Sequence, residues 1–517
     1  MTSFILLVVA LLPLVDLLHP GLPITHDGQD HVARIANFYQ SLSEGNIIPR
    51  WAGNLNWGYG HPILMFLYPL PSYIASLFHF IGFSFVDSAK LVFAGAFIAS
   101  IFAMYLWARD LWGERAGFVA AALYGFAPYR FVDLYVRGAI GEHVAFIFPP
   151  LVLWALDRKK FIIASLSVAG LMLSHNAVSL MFAPVIIVYI LYHRRSFLPV
   201  VLGLLLSAFF WVPALIEGKY TLRDIVTSED FSSRFVHFSQ LFNTPGNELS
   251  KEIGVVGLLV IVVAIVLFFR RREKFLGGVL SFLGASIFLM LSVSQPIWQT
   301  VTILQKFQFP WRFLHLVVFC VAVLGGLVVS TIKNQKRVAI VITIGLLLTT
   351  YSMWGAKYYR EYPESFFTGV YKSTTDTGES SPIWSVRFME HEPEATVEVI
   401  EGNAQIELGL RNTTKREYKV VASDRTRILE NTLYFPGWRV FVDGGEVSIE
   451  FQDPSRRGLM TFFVDQGNHA VSIQFTSTKL RFFSEILSLF GASLLGLFVF
   501  KIKTRSLIKT GSKKTAE

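Results

Sequence analysis

The chain has 517 residues, of which 53% are hydrophobic, 47 are Phe and only 16% are charged. This composition excludes an ordinary soluble domain and indicates an integral membrane protein. The net charge of +9 does not indicate a nucleic-acid partner, because most Lys and Arg residues lie in short clusters between apolar segments. The one cysteine, Cys320, excludes an intrachain disulfide, and its apolar surroundings are typical of a small buried residue.

A membrane-spanning helix needs about 20 mostly apolar residues. The sequence predicts about twelve spans, near residues 2–18, 88–107, 116–131, 143–157, 161–176, 177–193, 197–216, 253–269, 275–294, 313–332, 338–355 and 481–501. We expect 2–18 to be a retained helix rather than a cleaved signal peptide, since no basic residues precede it and no small-residue cleavage site follows before His19-Pro20.

The basic clusters set the predicted orientation, because cytoplasmic loops collect Lys and Arg. If 88–107 runs inward, the later basic clusters all become cytoplasmic, both termini are cytoplasmic, and the loops at 132–142, 217–252, 295–312 and 356–480 face outward. The first loop faces outward as well only if the apolar stretch 63–83 does not cross the membrane. Pro69 and Pro71 favour a broken, re-entrant or interfacial helix there, whereas a crossing would move the first loop to the opposite face.

The first polar segment, residues 25–34, directly follows the first predicted span. Asp27, Asp30, His31 and Arg34 are costly to place beside a bilayer without a use. A carboxylate can act as a general base toward an acceptor hydroxyl, or it can bind a divalent cation such as Mg²⁺ or Mn²⁺. We therefore treat this segment as one half of a candidate active site, with Asp27 and Asp30 as the possible metal ligands.

The second polar segment, residues 127–143, is expected on the same face. It carries Tyr129, Arg130, Asp133, Arg137 and Glu142. Arginines bind phosphate through paired donors, so two such loops together hold the parts needed to transfer a group from a phosphate carrier. The competing interpretation is a pair of solvated interfacial loops with structural Arg–carboxylate pairs.

Two later positions carry weaker signals. His175, in Ser174-His175-Asn176, could orient a carrier phosphate or cap a helix. Arg312, in Gln308-Phe309-Pro310-Trp311-Arg312, could reach a lipid phosphate or act as an interfacial anchor with its aromatic neighbour.

The composition changes between residues 356 and 480, where charged residues, turn signals and alternating runs such as 396–400, 405–408 and 471–475 are frequent. This pattern predicts a small extracytoplasmic β-sandwich. The predicted organisation is a transmembrane domain over 1–355, with 19–87 as a first outer loop carrying an interfacial helix, then the β-sandwich at 356–480. A last helix with a basic cytoplasmic tail follows at 481–517.

The order of these parts resembles the GT-C glycosyltransferases: a first helix, an acidic outer loop, a membrane-lying helix, two spans joined by a basic turn, and a Pro-Tyr-Arg outer loop. More closely, His26-Asp27 with His31, Gly58-Tyr59-Gly60-His61-Pro62, Pro128-Tyr129, the run 133–138 with Glu142, and Ser174-His175-Asn176 resemble the multispanning "6-pyruvoyl-tetrahydropterin synthase-related" family. The Tyr-Phe-Pro-Gly-Trp segment at 434–438 is similar to YfhO-type membrane proteins. Nothing in the sequence resembles the compact zinc site of the soluble pterin synthase.

The resemblance implies an α-helical polytopic membrane protein of GT-C type in the plasma membrane, which transfers a hexose or pentose, with inversion, from a polyprenyl-phosphate carrier. The acceptor would be an extracytoplasmic glycan, lipid or protein. Asp27 is the preferred base, with Asp30 orienting it or sharing a metal. Many GT-C members carry adjacent acidic residues or Asp-X-Asp, whereas Asp27 and Asp30 are three apart, so which of them is the base stays open. Glu142 is the third catalytic candidate, and Glu142 or Asp133 would orient the acceptor or sugar. Arg130 and Arg137 would hold the carrier phosphate, and the other substrate-binding or phosphate-binding positions are His31, Arg34, Tyr129, His175 and Arg312.

Two other functions use the same residues. A transporter or flippase for lipid-linked sugars would also need phosphate-binding arginines, but it requires polar groups through the membrane depth, and the central parts of the predicted spans carry almost none. A non-catalytic envelope-assembly protein would use the β-sandwich to recruit partners.

Overall fold

The computed structural model describes residues 2–228, 231–243 and 249–514. Helices dominate up to residue 353, and strands dominate between 397 and 475. The α-helices are α1 (Thr2–Leu11), α2 (Gly28–Ser43), α3 (Ile63–Phe66), α4 (Leu70–Phe80), α5 (Phe85–Trp112), α6 (Glu114–Gly125), α7 (Pro128–Phe131), α8 (Ile140–Ala145), α9 (Phe148–Asp157), α10 (Phe161–Ser174), α11 (Asn176–Tyr192), α12 (Leu198–Leu206), α13 (Ala208–Ile216), α14 (Arg223–Ser228), α15 (Val255–Arg271), α16 (Lys274–Met290), α17 (Gln295–Thr300), α18 (Leu314–Ser330), α19 (Gln335–Thr350), α20 (Ser365–Thr368) and α21 (Lys479–Lys514).

Shorter helical turns connect these elements. A π-helical segment, Val132–Arg137, follows α7. The 3₁₀ turns are Leu12–Leu18, Glu217–Tyr220, Phe231–Arg234, Phe238–Leu241, Ser292–Ser294, Thr302–Phe307, Pro310–Phe313, Tyr351–Met353, Ile383–Ser385 and Pro454–Arg456.

The protein is a helical membrane protein, but the predicted number of spans is not confirmed. Within the described residues, five helices are long and apolar enough to cross a bilayer, namely Phe85–Trp112, Ile140–Asp157, Pro310–Ser330, Gln335–Met353 and Lys479–Lys501. Other expected spans are shorter apolar helices, including Thr2–Leu18, Phe161–Ser174, Asn176–Tyr192 and Lys274–Met290.

The expected straight span at 197–216 is instead broken. Helices α12 and α13 meet at an angle of 73°. A break frees backbone groups that need partners inside a membrane, and α21 supplies one: the Ser488 hydroxyl accepts a hydrogen bond from the Phe209 N–H (2.8 Å) and donates one to the Leu205 carbonyl (3.1 Å). The last helix therefore stabilises this bend.

The stretch 63–83 does not form one continuous helix. It contains the four-residue α3 and the eleven-residue α4, and α4 begins after Pro69 with Pro71 in its first turn. At 1.5 Å per residue, α4 is about 16 Å long, whereas the hydrocarbon core is about 30 Å thick. Helix α4 is therefore too short to cross the bilayer by itself.

Helix lengths place the second polar segment inside the bundle. Helix α5 has 28 residues and is about 42 Å long, whereas its neighbour α6 has only 12 residues and is about 18 Å long. The two are joined by a tight turn at Gly113. The chain therefore leaves α6 beside the middle of α5, and the expected span 116–131 ends at Gly125. Residues 127–139 follow at this depth, which explains why nearly all of them are buried.

The β-rich region between 397 and 475 consists of two antiparallel sheets. Their strands are β3 (Val397–Glu401), β4 (Ala404–Arg411), β5 (Lys415–Ala422), β6 (Thr426–Leu433), β7 (Trp438–Val442), β8 (Gly445–Val447), β9 (Leu459–Val464) and β10 (Gly467–Phe475), and a separate pair joins β1 (Leu22–Pro23) to β2 (Tyr359–Arg360). The sheet orders are β4-β5-β10-β7-β8 and β3-β6-β9. Val420, Val440 and Ile473 of one sheet and Ile428 and Phe462 of the other are buried in one shared core.

This core also includes residues of the helical region, among them Trp51, Met65 and Phe210. Trp51 packs edge-on against Trp438 with ring centroids 5.4 Å apart. Gly60 leaves room for the Trp51 indole, because a Cβ at residue 60 would lie 2.5 Å from the indole nitrogen. The β-rich region is thus fixed to the turn at 51–62.

Candidate active site

Backbone hydrogen bonds join the two polar segments. The His26 N–H donates to the Val136 carbonyl (3.0 Å), and the Asp27 N–H donates to the Arg137 carbonyl (2.8 Å). Gly138 adopts a φ of +67°, and a Cβ built there would lie 2.3 Å from the Thr25 hydroxyl oxygen. The absence of a side chain at Gly138 therefore allows the segments to meet, and we call this contact the seam.

Asp27 and Asp30 have different surroundings. Asp27 is half-buried at the N-cap of α2, and its side chain makes no capping hydrogen bond. Asp30 accepts a hydrogen bond from the Tyr371 hydroxyl (2.9 Å). Burial raises the pKa of Asp30 above its ordinary value, although Arg34 and the Tyr371 bond oppose the shift. Asp27 is therefore the carboxylate that is available to a substrate, and Asp30 is the more constrained one.

Glu142 is the centre of the second segment. Arg137 donates to both of its carboxylate oxygens at 2.7 and 2.8 Å, Tyr129 donates at 3.0 Å and Arg312 at 2.9 Å. Arg137 also binds Asp133 at 2.7 Å. Glu142 is 1% exposed, so this arrangement is a buried ion-pair network in which two carboxylates balance two guanidinium groups.

Two histidines present N–H donors to the same region. Arg34 donates to His31 Nδ1 (3.2 Å) and the Val178 N–H donates to His175 Nδ1 (3.3 Å), so both rings carry their proton on Nε2 when neutral. Burial, followed by the nearby Arg34 and Arg137 charges, holds the pKa of His31 well below its ordinary value. His175 Nε2 lies 3.7 Å from Glu142.

Tyr68 lies between the two halves of the site. Its ring packs on His175 with centroids 4.8 Å apart and lies directly against Gly141, where a Cβ would come within 1.9 Å of the ring. Asp27 and Glu142 both act on it electrostatically, although burial is the main cause that raises the pKa of its hydroxyl. Tyr68 thus adds a neutral hydroxyl beside both acidic groups.

Residues 371–381, which we call the covering segment, lie over these groups. Besides the Tyr371–Asp30 bond, Thr375 accepts a hydrogen bond from Arg34 (2.8 Å), and Ser381 lies 3.2 Å from His61. This part of the predicted β-sandwich domain is not in a strand. It forms a third wall of the site.

Arg130 lies outside this hydrogen-bond network, although its charge acts on Asp133. Its guanidinium is 0% exposed, donates to Ser100 in the middle of α5 (2.8 Å) and stacks on Phe146 at 4.0 Å. The expectation that Arg130 binds phosphate beside Arg137 does not match this position, because the short α6 places it deeper in the bundle among aromatic rings. Asp133 is also fully buried and pairs with Arg137.

Several residues at the site were not among the sequence candidates. Tyr68 lay in an apolar stretch with no polar motif, and Tyr371 lay within the predicted β-sandwich. His315 follows Arg312 by three residues, one helical turn, and this spacing could have identified it. It is buried beside Asp133 and Glu142.

The donor atoms that could hold a metal ion are also not the expected ones. Among the residues that the structure describes, the grouping of three such side chains is Asp133, Glu142 and His315, whose ligand atoms lie within 4.8 Å of one another. Asp27 and Asp30 are not members. Nitrogen and carboxylate donors at this spacing suit a divalent transition metal, so the residues fit such an ion.

Residues 64–359 match the sequence model of a family described as a 6-pyruvoyl-tetrahydropterin synthase related domain of membrane proteins. An uncharacterised protein of Lactococcus lactis subsp. cremoris is 28% identical over 240 residues, which cover 41% of this chain and 39% of that protein. The match therefore spans about two fifths of the length of this relative.

Similar solved structures include three membrane proteins. The mycobacterial arabinofuranosyltransferase AftD has a TM-score of 0.48 at 14% identity, covering 68% of this chain and 26% of that one. The Archaeoglobus fulgidus oligosaccharyltransferase in its apo form has a TM-score of 0.43 at 13% identity, covering 74% and 60%. ArnT of Cupriavidus metallidurans, bound to undecaprenyl phosphate, has a TM-score of 0.36 at 15% identity, covering 71% and 67%.

Proposed function

This chain belongs to the 6-pyruvoyl-tetrahydropterin synthase related family of membrane proteins, and we propose that it is a membrane glycosyltransferase. It transfers a sugar from a polyprenyl-phosphate carrier to an extracytoplasmic acceptor. The observation that carries the proposal is the seam, which brings the free carboxylate of Asp27 next to a region rich in phosphate-binding donors. A base on one side and anion ligands on the other are what such a transfer requires.

Asp27 acts as the general base. Its carboxylate accepts the proton of an acceptor hydroxyl while the acceptor oxygen bonds to the anomeric carbon of the sugar. The bond between that carbon and the phosphate oxygen breaks, and the polyprenyl phosphate leaves with the electron pair. One displacement of this kind inverts the anomeric configuration.

The departing phosphate gains negative charge, and this chain offers several donors to it. The Arg312 side chain is 12% exposed; its Nε–H donates to Glu142 and its Nη1 to the Phe307 carbonyl (2.8 Å) and Gln308 (3.2 Å), so among the described residues its Nη2 is the group left for a phosphate. The Nε2–H groups of His31 and His175 and the Tyr68 hydroxyl add neutral donors. Arg137 positions Glu142 rather than the substrate, since its donors are used within the buried network.

The proposal includes an orientation of the chain in the membrane. The site lies at the end of the bundle that also carries the β-rich region, and the opposite end carries Arg109, Arg158 and Arg195, paired with Asp110 and Asp157. Because basic residues collect in the cytoplasm, the site and the β-rich region would face outward in the plasma membrane, with both termini inside.

A transporter of lipid-linked sugars is the second candidate, favoured by one observation: Arg130 brings a charge to the middle of α5. Below it, however, Trp107 stacks on Phe319 (5.6 Å) and Tyr124 packs against the same ring (6.4 Å). This aromatic layer lies between the polar residues and the basic end, so within the part of the chain that the structure describes the polar residues stop at this layer.

The test is a comparison of lipid-linked and envelope glycans by intact mass in cells that lack the protein and in complemented cells. We expect wild type to restore one sugar residue that Asp27→Asn does not restore, at equal amounts of folded protein. Asp465→Asn is the matched control, because Asp465 is an exposed carboxylate in the β-rich region. Full restoration by Asp27→Asn would remove Asp27 as the base, and movement of a labelled carrier across proteoliposomes without transfer would favour the transporter.

A further inference from the structure

Three acceptor atoms from separate elements converge inside the bundle. His315 Nε2, from α18, lies 3.7 Å from Asp133 Oδ2 of the π-helical segment and 3.8 Å from Glu142 Oε2 of α8. All three residues are at most 1% exposed. Separations of 3.7 Å and more are too long for direct hydrogen bonds.

The tautomer of His315 leaves an unprotonated ring nitrogen facing the two carboxylates. Its Nδ1 lies 3.1 Å from the Arg312 carbonyl, which can only accept, so Nδ1 carries the proton and a neutral ring turns its Nε2 lone pair toward the two carboxylates. Among the residues described, neither His315 Nε2 nor Asp133 Oδ2 has a hydrogen-bond partner. Buried acceptors that face one another without a donor are costly, so a positively charged species is expected between them.

We propose that Asp133, Glu142 and His315 form a binding site for a divalent transition metal ion such as Zn²⁺. Bonds of about 2.0–2.2 Å in a tetrahedral site separate neighbouring ligand atoms by roughly 3.3–3.6 Å, which is close to the observed spacing. The surroundings also match those of metal ligands, whose remaining polar atoms are held by other groups. His315 Nδ1 is fixed by a carbonyl and Asp133 Oδ1 by Arg137.

The charges of the cluster add a second property to this site. Asp133 and Glu142 are already balanced by Arg137 and Arg312, and the Arg130 charge also acts on Asp133 and His315, so a dication gives the cluster an excess of positive charge. An anion bound next to Arg312 would remove that excess. Metal and phosphate are therefore expected to bind together, and each should raise the affinity for the other by the same factor.

Metal binding at this site can be measured without any transfer reaction, so its test is independent of the proposed function. Purified full-length protein in nanodiscs would be stripped with a chelator and dialysed against Zn²⁺, and the bound metal counted by mass spectrometry. We expect one Zn²⁺ per chain in wild type and in His143→Gln, and less than a tenth of that in His315→Gln and Asp133→Asn at the same free Zn²⁺. His143 is the control because it is an equally buried histidine next to Glu142 that is not a member of the cluster.

A measurement on wild type alone keeps the test decisive if the buried variants do not fold. X-ray absorption at the zinc edge should show one imidazole with oxygen ligands and no sulfur. Calorimetric titration with Zn²⁺ should show an affinity at least tenfold higher in the presence of saturating inorganic phosphate. Absence of stoichiometric zinc in wild type, undiminished zinc in folded His315→Gln, or an imidazole-free spectrum would each overturn the proposal.

Discussion

The buried ion-pair network makes a specific prediction about coupling between Arg137 and Glu142. Removing one member of a buried pair leaves an uncompensated charge and typically costs about 3–5 kcal/mol. Glu142→Gln leaves two positive charges, Arg137 and Arg312, with one negative charge, Asp133. Arg137→Met leaves two negative charges, Asp133 and Glu142, with one positive charge, Arg312. The double variant keeps Asp133 and Arg312 of the network, whose charges balance, and the nearby Arg130 charge is the same in all four proteins, so the double variant should cost about as much as one single variant.

The free energies of unfolding of the four proteins can be measured by reversible denaturation in mixed micelles. We expect each single variant to lose about 3 kcal/mol or more and the coupling free energy to be about 3 kcal/mol. Glu407→Gln with Lys419→Met, an exposed pair in the β-rich region, should show coupling of at most about 1 kcal/mol. Additive effects of Arg137→Met and Glu142→Gln, within about 0.5 kcal/mol, would refute the buried network.

Three further predictions test other parts of the structure. Gly138→Ala should abolish transfer with little loss of protein, because its Cβ would meet Thr25 and open the seam, and unchanged turnover in membranes would contradict this. Ser488→Ala should lower the unfolding free energy by about 1–3 kcal/mol, since the Phe209 N–H loses its acceptor, and equal stability in the same micelle assay would argue against the bend. Burial raises the pKa of Asp30, so ionising this carboxyl costs more free energy in the folded protein than in the unfolded chain. The unfolding free energy of wild type relative to Asp30→Asn should therefore fall as the pH rises from below 3.8 through the raised pKa, and it should stay constant above that pKa. A difference in unfolding free energy that does not depend on pH would exclude the shift.

Hydropathy predicted the helical membrane class and the general positions of most helices, because apolar composition directly reflects burial in lipid or bundle. It could not predict the bend between α12 and α13. The partner that satisfies the freed backbone there is Ser488, which lies 279 residues after Phe209 in the chain. The prolines at 69 and 71, by contrast, gave a local steric reason for the interruption of 63–83, and the structure shows that interruption.

The candidate site was predictable where polar residues stood out against an apolar background. Asp27, Glu142 and Arg312 were identified on that ground. Tyr68 was not, because an aromatic residue in an apolar stretch carries no sign of a role. Arg130 was misplaced because charge alone does not report depth, which here follows from the length of α6.

The contribution of the covering segment has a consequence for how the protein is made. The ribosome synthesises Asp27 and Glu142 early, but residues 371–381 emerge only after α20, when every described α-helix except α21 has been synthesised. Until then Asp30 lacks Tyr371 and Arg34 lacks Thr375. A nascent or truncated chain would therefore present an open, incompletely ordered site, and the proposed activity would be withheld until membrane insertion is nearly finished.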